Sequence, residues 1–265
     1  MTVPFERELT AAVRAAEDGG KVLLNYYRKN TDVEYKSGDD PVTVADRECD
    51  TLLRERLLGE FPDTGWLSEE TADTDDRLVK DRVWVVDPLD GTREFVGQVG
   101  EFAVSIALVD RGRPVVGVIF NPAASRMWRA SHGGGVREGD RIVRCPAPAP
   151  PVRPRALVSR TDSKKGWFQP FGEKYDVVAR GSVAYKLACL ASGDGDLTFT
   201  VTPRSEWDIC AGVLIAQEAG YTVTDIRGTE LLFNRPIPKS PGVAAAHPAA
   251  HADLLAILKS HHRLD

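Results

Sequence analysis

Trp84-Val85-Val86-Asp87-Pro88-Leu89-Asp90-Gly91-Thr92 limits what this chain can become more than any other stretch. The apolar, β-branched start reads as a buried strand, and it ends on two carboxylates three residues apart. Pro88 fixes its own φ and keeps Asp87 extended, so the chain turns between the aspartates and can aim both at one point. The Leu89 carbonyl oxygen can join them. Converging hard oxygens suit Mg²⁺, which takes carboxylates at ~2.0–2.1 Å and keeps waters and a substrate phosphate in its octahedron. Gly91 and Thr92 then offer backbone N–H groups and a hydroxyl to an anion held there.

Composition narrows the partners. The 265 residues suffice for a large core, and 42% apolar with 28% charged content is ordinary for a globular chain. A net charge of −5 argues against a surface that coats a nucleic-acid polymer. A small phosphorylated metabolite would need a metal or particular Lys and Arg side chains. No apolar run approaches the ~18–20 residues of a membrane span, and residues 1–14 mix charges where a signal peptide would be apolar. The chain reads as cytoplasmic, and Cys49, Cys145, Cys189 and Cys210, without CxxC spacing, read as free thiols.

In order, helical periodicity covers residues 5–28 and 43–58, separated by turn chemistry at 35–41. Residues 71–81 are charged and read as a mobile surface loop. Strands are expected at 102–109 and 114–120, joined by a hairpin turn at 110–113, and at 127–130 and 136–144, split by Gly133-Gly134-Gly135. That triplet lacks the Lys-Ser/Thr of a P-loop, so it reads as a turn. A Pro- and Ala-rich linker at 146–154 divides a first half, 1–145, carrying most candidate ligands, from a second, 155–265. The second half alternates: strands at 156–159, 176–179, 197–201, 221–225 and 243–246, and helices at 183–191, 207–219 and 251–258. The His247/His251 pair has no carboxylate partner at ligand spacing and reads as structural.

Val42-Thr43 to Asp46, Ser68-Glu69-Glu70, Asp87 to Thr92, Gly181-Ser182, Trp207-Asp208 to Gly212 and Glu218-Ala219-Gly220 follow one another through nearly the whole chain. In that order they resemble the Mg²⁺-dependent, lithium-sensitive phosphatases of the inositol monophosphatase superfamily. The resemblance implies a layered αβαβα sandwich of the α/β (α+β) class, as in inositol monophosphatase and fructose-1,6-bisphosphatase, acting as monomer or homodimer. It implies that Glu69, Asp87 and the Leu89 carbonyl hold one Mg²⁺, that Asp87, Asp90 and Asp208 hold a second, and that Glu69 reaches a third through water. Asp46 and Thr92 match the pair that takes a proton from the attacking water. Two metals ~3.5–4 Å apart can clamp the attacking and leaving oxygens of an in-line displacement.

Asp90 to Phe95, followed by Gly100-Glu101-Phe102-Ala103-Val104-Ser105, is most similar to the CysQ branch, the 3′(2′),5′-bisphosphate nucleotidases. These remove the 3′-phosphate of 3′-phosphoadenosine 5′-phosphate, a product of sulfate assimilation. Gly91, Thr92, Gly181, Ser182, Lys186 and Asp208 are then expected to contact substrate, Lys186 at its other phosphate. Val201, seven residues before Asp208, stands where inositol phosphatases carry a glutamate for a substrate hydroxyl. Phosphatases of inositol, histidinol or fructose phosphates remain as alternatives with the same metal machinery, and an inactive phosphate sensor is the alternative from another class. Thr43-x-x-Asp46 and Ser205-x-x-Asp208 also fit the helix capping box, the bland reading of both aspartates. Glu69-Glu70 would ordinarily be a solvated acidic loop and Lys186 a solvated residue of an exposed helix, while Arg93-Glu94 reads equally as a branch marker or a surface ion pair.

Overall fold

The computed structural model describes residues 4–29, 33–35, 41–143 and 150–261. The turn expected at 36–40, linker residues 146–149, Cys145 and His262 lie outside the described residues.

The first helix, α1 (Glu6–Tyr26), buries Ala12, Ala15, Ala16, Gly19 and Leu23. A short ribbon, β1 (Val33–Tyr35) against β2 (Pro41–Thr43), leads into α2 (Val44–Glu60). Both helices cover one face of a seven-stranded sheet: β3 (Gly65–Ser68), β4 (Arg82–Asp90), β5 (Ala103–Asp110), β6 (Arg113–Asn121), β7 (Arg126–Ser131), β8 (Gly135–Glu138) and β9 (Arg141–Val143). A short helix, α3 (Thr92–Val96), follows β4 directly. The strands lie in chain order, and only the β3–β4 pair is parallel.

Alternation along β4 explains the layering. Trp84 and Val86 join the core under α1 and α2, while Val83 and Val85 join the core on the other face. A strand covered on both sides loses the apolar/polar rhythm, which is why 83–86 reads as one continuous apolar run.

The second half supplies β10 (Arg155–Ser159), α4 (Arg160–Lys164), β11 (Asp176–Arg180), α5 (Val183–Ala191), β12 (Leu197–Phe199), β13 (Arg204–Ser205), α6 (Glu206–Glu218), β14 (Thr222–Thr224), β15 (Lys239–Ser240), β16 (Ala244–Ala246) and α7 (Pro248–His261). Five of the strands form a mixed sheet in the order β11-β10-β12-β16-β14, and β13 pairs with β15 alone. Helices α5 and α6 fill the layer between the two large sheets, and α7 with Phe168 and Phe171 covers the far face of the mixed sheet. The result is the expected five-layer αβαβα sandwich. Gly117 is required on β6, because a Cβ there would meet the Ala211 carbonyl of α6 at 2.9 Å.

Some expectations are corrected. The strand expected at 136–144 breaks into β8 and β9 at Gly139, whose φ of 56° is a turn conformation. The stretch 71–81 contains a 3₁₀ turn, Asp75–Val79, anchored by Arg77, which is 2% exposed. Arg77 pairs with Asp73 at 2.6 Å and donates across the molecule to Asn234 Oδ1 at 2.7 Å and the Arg235 carbonyl at 3.0 Å. Its charges are therefore not all solvated. Helix α5 is buried along its whole length, so Lys186 does not lie on an exposed helix.

Candidate active site

Strand β4 reaches the cleft through an irregularity. Its register against β5 slips between Asp87, opposite Ser105, and Asp90, opposite Ala103. Pro88 has no N–H to give a ladder, and the Leu89 N–H turns back to Asp87 Oδ1 at 2.9 Å. Gly91, at φ 99°, ends the strand and starts α3. A side chain there would press on the Glu101 carbonyl at 2.9 Å.

Three elements bring acids together. Parallel pairing of β3 with β4 ends at Ser68 beside Val86, and the Glu69 N–H reaches the Val86 carbonyl at 3.4 Å. This sets Glu69 next to Asp87. Asp208 enters from the first turn of α6. Among the described residues, Glu69, Asp87 and Asp208 each offer an oxygen within 4.8 Å of the others, a set that could hold a metal ion. Burial pushes the Asp87 carboxyl well above the ordinary carboxylate range, and repulsion from Glu69, Asp90 and Asp208 adds to it. Burial, then Asp90 and Glu69, does the same to Asp208. Buried like charges without a cation are costly, so the set fits a divalent ion with hard oxygen ligands.

Asp90 stands apart from that trio. Its Oδ2 accepts from Ser182 Oγ and from the Ala184 N–H, both at 2.6 Å, so it caps the start of α5. Burial raises its carboxyl, and those two bonds oppose the shift. The Ser182 hydroxyl also accepts from the Tyr185 N–H at 3.0 Å, which makes it a holder of Asp90. Gly181 donates its N–H to Glu101 Oε2 at 2.8 Å, and a Cβ on it would collide with the Glu94 side chain.

Asp46 meets both of its readings. Its Oδ2 accepts from the Thr43 N–H and Oγ1, each at 2.7 Å, closing the capping box of α2. Its Oδ1 lies 3.2 Å from Thr92 Oγ1. That hydroxyl is also 3.0 Å from the Leu89 carbonyl, so its single proton has two acceptors. Burial raises the Asp46 carboxyl. At α6 the box is incomplete, because the Ser205 side chain caps nothing.

Lys186 is 2% exposed, and its Nζ donates to the Ser182 carbonyl at 2.9 Å. Burial pulls its ammonium down to about 8, while Asp90 and Glu94 act to raise it. Glu94 is 9% exposed and lines the cleft, so it is no surface ion-pair member. The histidine reading stands: His251 is buried and its Nε2 lies 3.1 Å from Thr224 Oγ1. Cys49, Cys189 and Cys210 are free and buried. The glycine turn at 133–135 does cradle an anion, the carboxylate of Glu218, which accepts the Gly133 and Gly135 N–H groups at 2.8 and 2.9 Å.

Glu69, Asp87, Asp90, Glu94 and Asp208 line one cleft of 610 Å³, and its lining also carries a set of basic side chains with Asp162 among them. Arg160, Lys165, Arg180, Arg204 and Lys239 belong to it, with Trp167 at 43% exposure carrying Lys165 Nζ 4.8 Å from its ring centre. Sequence reasoning missed this wall. Arg204 sits beside a quoted motif, but nothing in one sequence distinguishes Arg160 or Trp167 from surface residues.

The fold and cleft are those of a hydrolase of phosphate monoesters. The Thermotoga maritima IMPase superposes with a TM-score of 0.83 at 26% identity, over 94% of this chain and 96% of that one. The sequence model of the inositol monophosphatase family matches residues 6–263, and the chain belongs to that family. It is 36% identical to the 3′(2′),5′-bisphosphate nucleotidase CysQ of Salmonella typhimurium over 230 residues, 84% of this chain and 92% of the relative. It is also 30% identical to inositol monophosphatase 2 of Solanum lycopersicum over 240 residues, 85% of this chain and 90% of the relative. No helix among the described residues is long and apolar enough to cross a membrane.

Proposed function

We propose that the chain is a Mg²⁺-dependent 3′(2′),5′-bisphosphate nucleotidase that hydrolyses 3′-phosphoadenosine 5′-phosphate to AMP and phosphate. The observation that carries this reading is the cleft itself, whose lining divides into the carboxylates Glu69, Asp87, Asp90 and Asp208 and the cations Arg160, Lys165, Arg180, Arg204 and Lys239, with the exposed indole of Trp167 beside them. A substrate with one phosphate to lose, a second to anchor and a flat base matches that division. The CysQ relative supports it, and Val201, at the position where the inositol branch is expected to carry a glutamate, packs half-buried against the apolar core and offers no acceptor. The tomato relative supports inositol 1-phosphate as the second reading.

In this reading Glu69, Asp87 and the Leu89 carbonyl would hold one Mg²⁺, and Asp87, Asp90 and Asp208 another. When bound, the ions supply neutralisation of the carboxylate cluster and polarisation of the phosphoryl oxygens. The protein's own part begins at Thr92. Its hydroxyl takes the proton of the attacking water as it passes its own to Asp46, whose raised carboxyl makes it a ready acceptor. The water oxygen bonds to phosphorus as the bond from phosphorus to the ester oxygen breaks, and that oxygen takes up a proton from a solvent water in the open cleft. Lys186 and Ser182 keep the Asp90 turn in shape. Residues 1–145 and 155–265 act as two halves that share the cleft, and the free thiols of Cys49, Cys189 and Cys210 among the described residues support a cytoplasmic setting.

The test is phosphate release with Mg²⁺, with and without Li⁺, comparing kcat/KM for 3′-phosphoadenosine 5′-phosphate, inositol 1-phosphate, histidinol phosphate and fructose 1,6-bisphosphate. A hundredfold preference for the nucleotide, about 2.7 kcal/mol, is expected. A preference for inositol phosphate transfers the site to the second reading, and inactivity on all four favours a sensor.

A further inference from the structure

Glu101 does not line the cleft, yet it holds two parts of the cleft wall at once. Its Oε2 accepts Arg160 Nη2 at 2.6 Å, Arg160 Nε at 3.1 Å and the Gly181 N–H at 2.8 Å. Arg160 opens α4, Gly181 precedes α5, and Glu101 sits in the loop before β5. One carboxylate oxygen from the first half therefore fixes two segments of the second.

The consequence for Arg160 is geometric. A guanidinium presents five N–H donors in a rigid plane. Glu101 engages Nε and Nη2, and Nη2 also meets the Ala179 carbonyl at 3.3 Å. Nη1 makes no hydrogen bond within the protein among the described residues, and Arg160 lines the cleft. Held by one edge, the plane keeps its other edge for a ligand anion. Fixing the fork in advance lowers the ordering cost of a charge-assisted contact.

We infer that Glu101 is a positioning residue for substrate selection: it holds Arg160 so that Nη1 receives the second phosphate of a doubly phosphorylated substrate. This rests on the nucleotidase reading and adds the residue that orients its anchor. A purely electrostatic role predicts the opposite effect on substitution. Removing a negative charge near a doubly anionic substrate should tighten binding, whereas releasing the Arg160 fork should weaken it.

The experiment measures kcat/KM for 3′-phosphoadenosine 5′-phosphate and for adenosine 3′-monophosphate on wild type, Glu101→Gln, Arg160→Ala and the double variant. The ratio of the two values is independent of how much enzyme is folded. Glu101→Gln is expected to lower that ratio about tenfold, through KM for the bisphosphate and not kcat, and the double variant to match Arg160→Ala. A ratio that rises or stays unchanged in Glu101→Gln overturns the inference, as does additivity in the double variant. A wild type that treats both substrates alike removes the nucleotidase reading and this inference with it. A selective wild type beside an unaltered Glu101→Gln removes the inference alone.

Discussion

Helices α2 and α6 both begin with a hydroxyl residue three places before an aspartate, Thr43 to Asp46 and Ser205 to Asp208, and they use the pattern differently. At α2 the exchange is complete: the Thr43 hydroxyl accepts the Ala45 N–H at 3.2 Å, and Asp46 Oδ2 accepts the Thr43 N–H and hydroxyl. At α6 the hydroxyl caps nothing, and the Ser205 backbone acts on the Asp208 carboxyl only as the smallest of the influences that lower it against burial. Asp46 is thus fixed by its own helix and presents one oxygen to Thr92, while Asp208 is left among like charges in the cleft. The difference teaches that a capping signal and a functional carboxylate are compatible when the two oxygens are separately engaged.

Substitutions at these starts test the contrast. Asp208→Asn should give the largest effect, a loss of phosphate release of about 10³-fold, ~4 kcal/mol, with the circular dichroism spectrum retained. Near-normal turnover would remove Asp208 from the metal set. Asp46→Asn should lower kcat by ~10²-fold or more, because an amide cannot take the Thr92 proton. Thr92→Val should do the same without disturbing the cap, so equal losses with unequal melting temperatures would separate the two roles of Asp46.

Stability against pH sharpens the comparison next. With chelator present, the folded carboxyls of Asp87 and Asp208 titrate above their unfolded values near ~4. The folded state then holds protons that the unfolded chain has released. Stability is full below ~4 and falls as pH rises through the raised folded-state values. Urea unfolding in EDTA between pH 4 and 8 should show that slope, Mg²⁺ should flatten it, and so should Asp208→Asn. A slope of opposite sign would mean the cluster does not repel itself.

The smallest effects belong to the caps themselves. Thr43→Ala should cost about 1 kcal/mol in denaturant unfolding. Ser205→Ala should stay within ~0.5 kcal/mol, because the hydroxyl it removes bonds to no helix N–H. Equal costs at both positions would erase the distinction drawn between them.

The layered fold and the order of its main elements were legible because buried strands and amphipathic helices write their periodicity locally. The aspartate turn was legible for the same reason: Pro88 and Gly91 state the backbone that Asp87 and Asp90 require. What escaped depends on partners far along the chain. Lys186 is read as solvated from its helix alone, and only the covering sheets make it a buried donor to the Ser182 carbonyl. Ser182 looks like a ligand for substrate, yet the residue it holds is Asp90, 92 positions away. Glu101 was visible within a recognised stretch, but its partners Arg160 and Gly181 belong to the other half.

Arg77 carries the same lesson into the order of assembly. Its bond to Asn234 closes a separation of 157 residues, and the N–H of that asparagine is held by Glu206 Oε2 at 2.6 Å, two residues before Asp208. Contacts of such high sequence separation form late, after the loop entropy between them has been overcome. During synthesis the acid end of the cleft therefore waits for the last third of the chain, and the nascent first half carries Glu69 and Asp87 without their third member. An enzyme built this way gains its carboxylate cluster and its finished tertiary structure in one event.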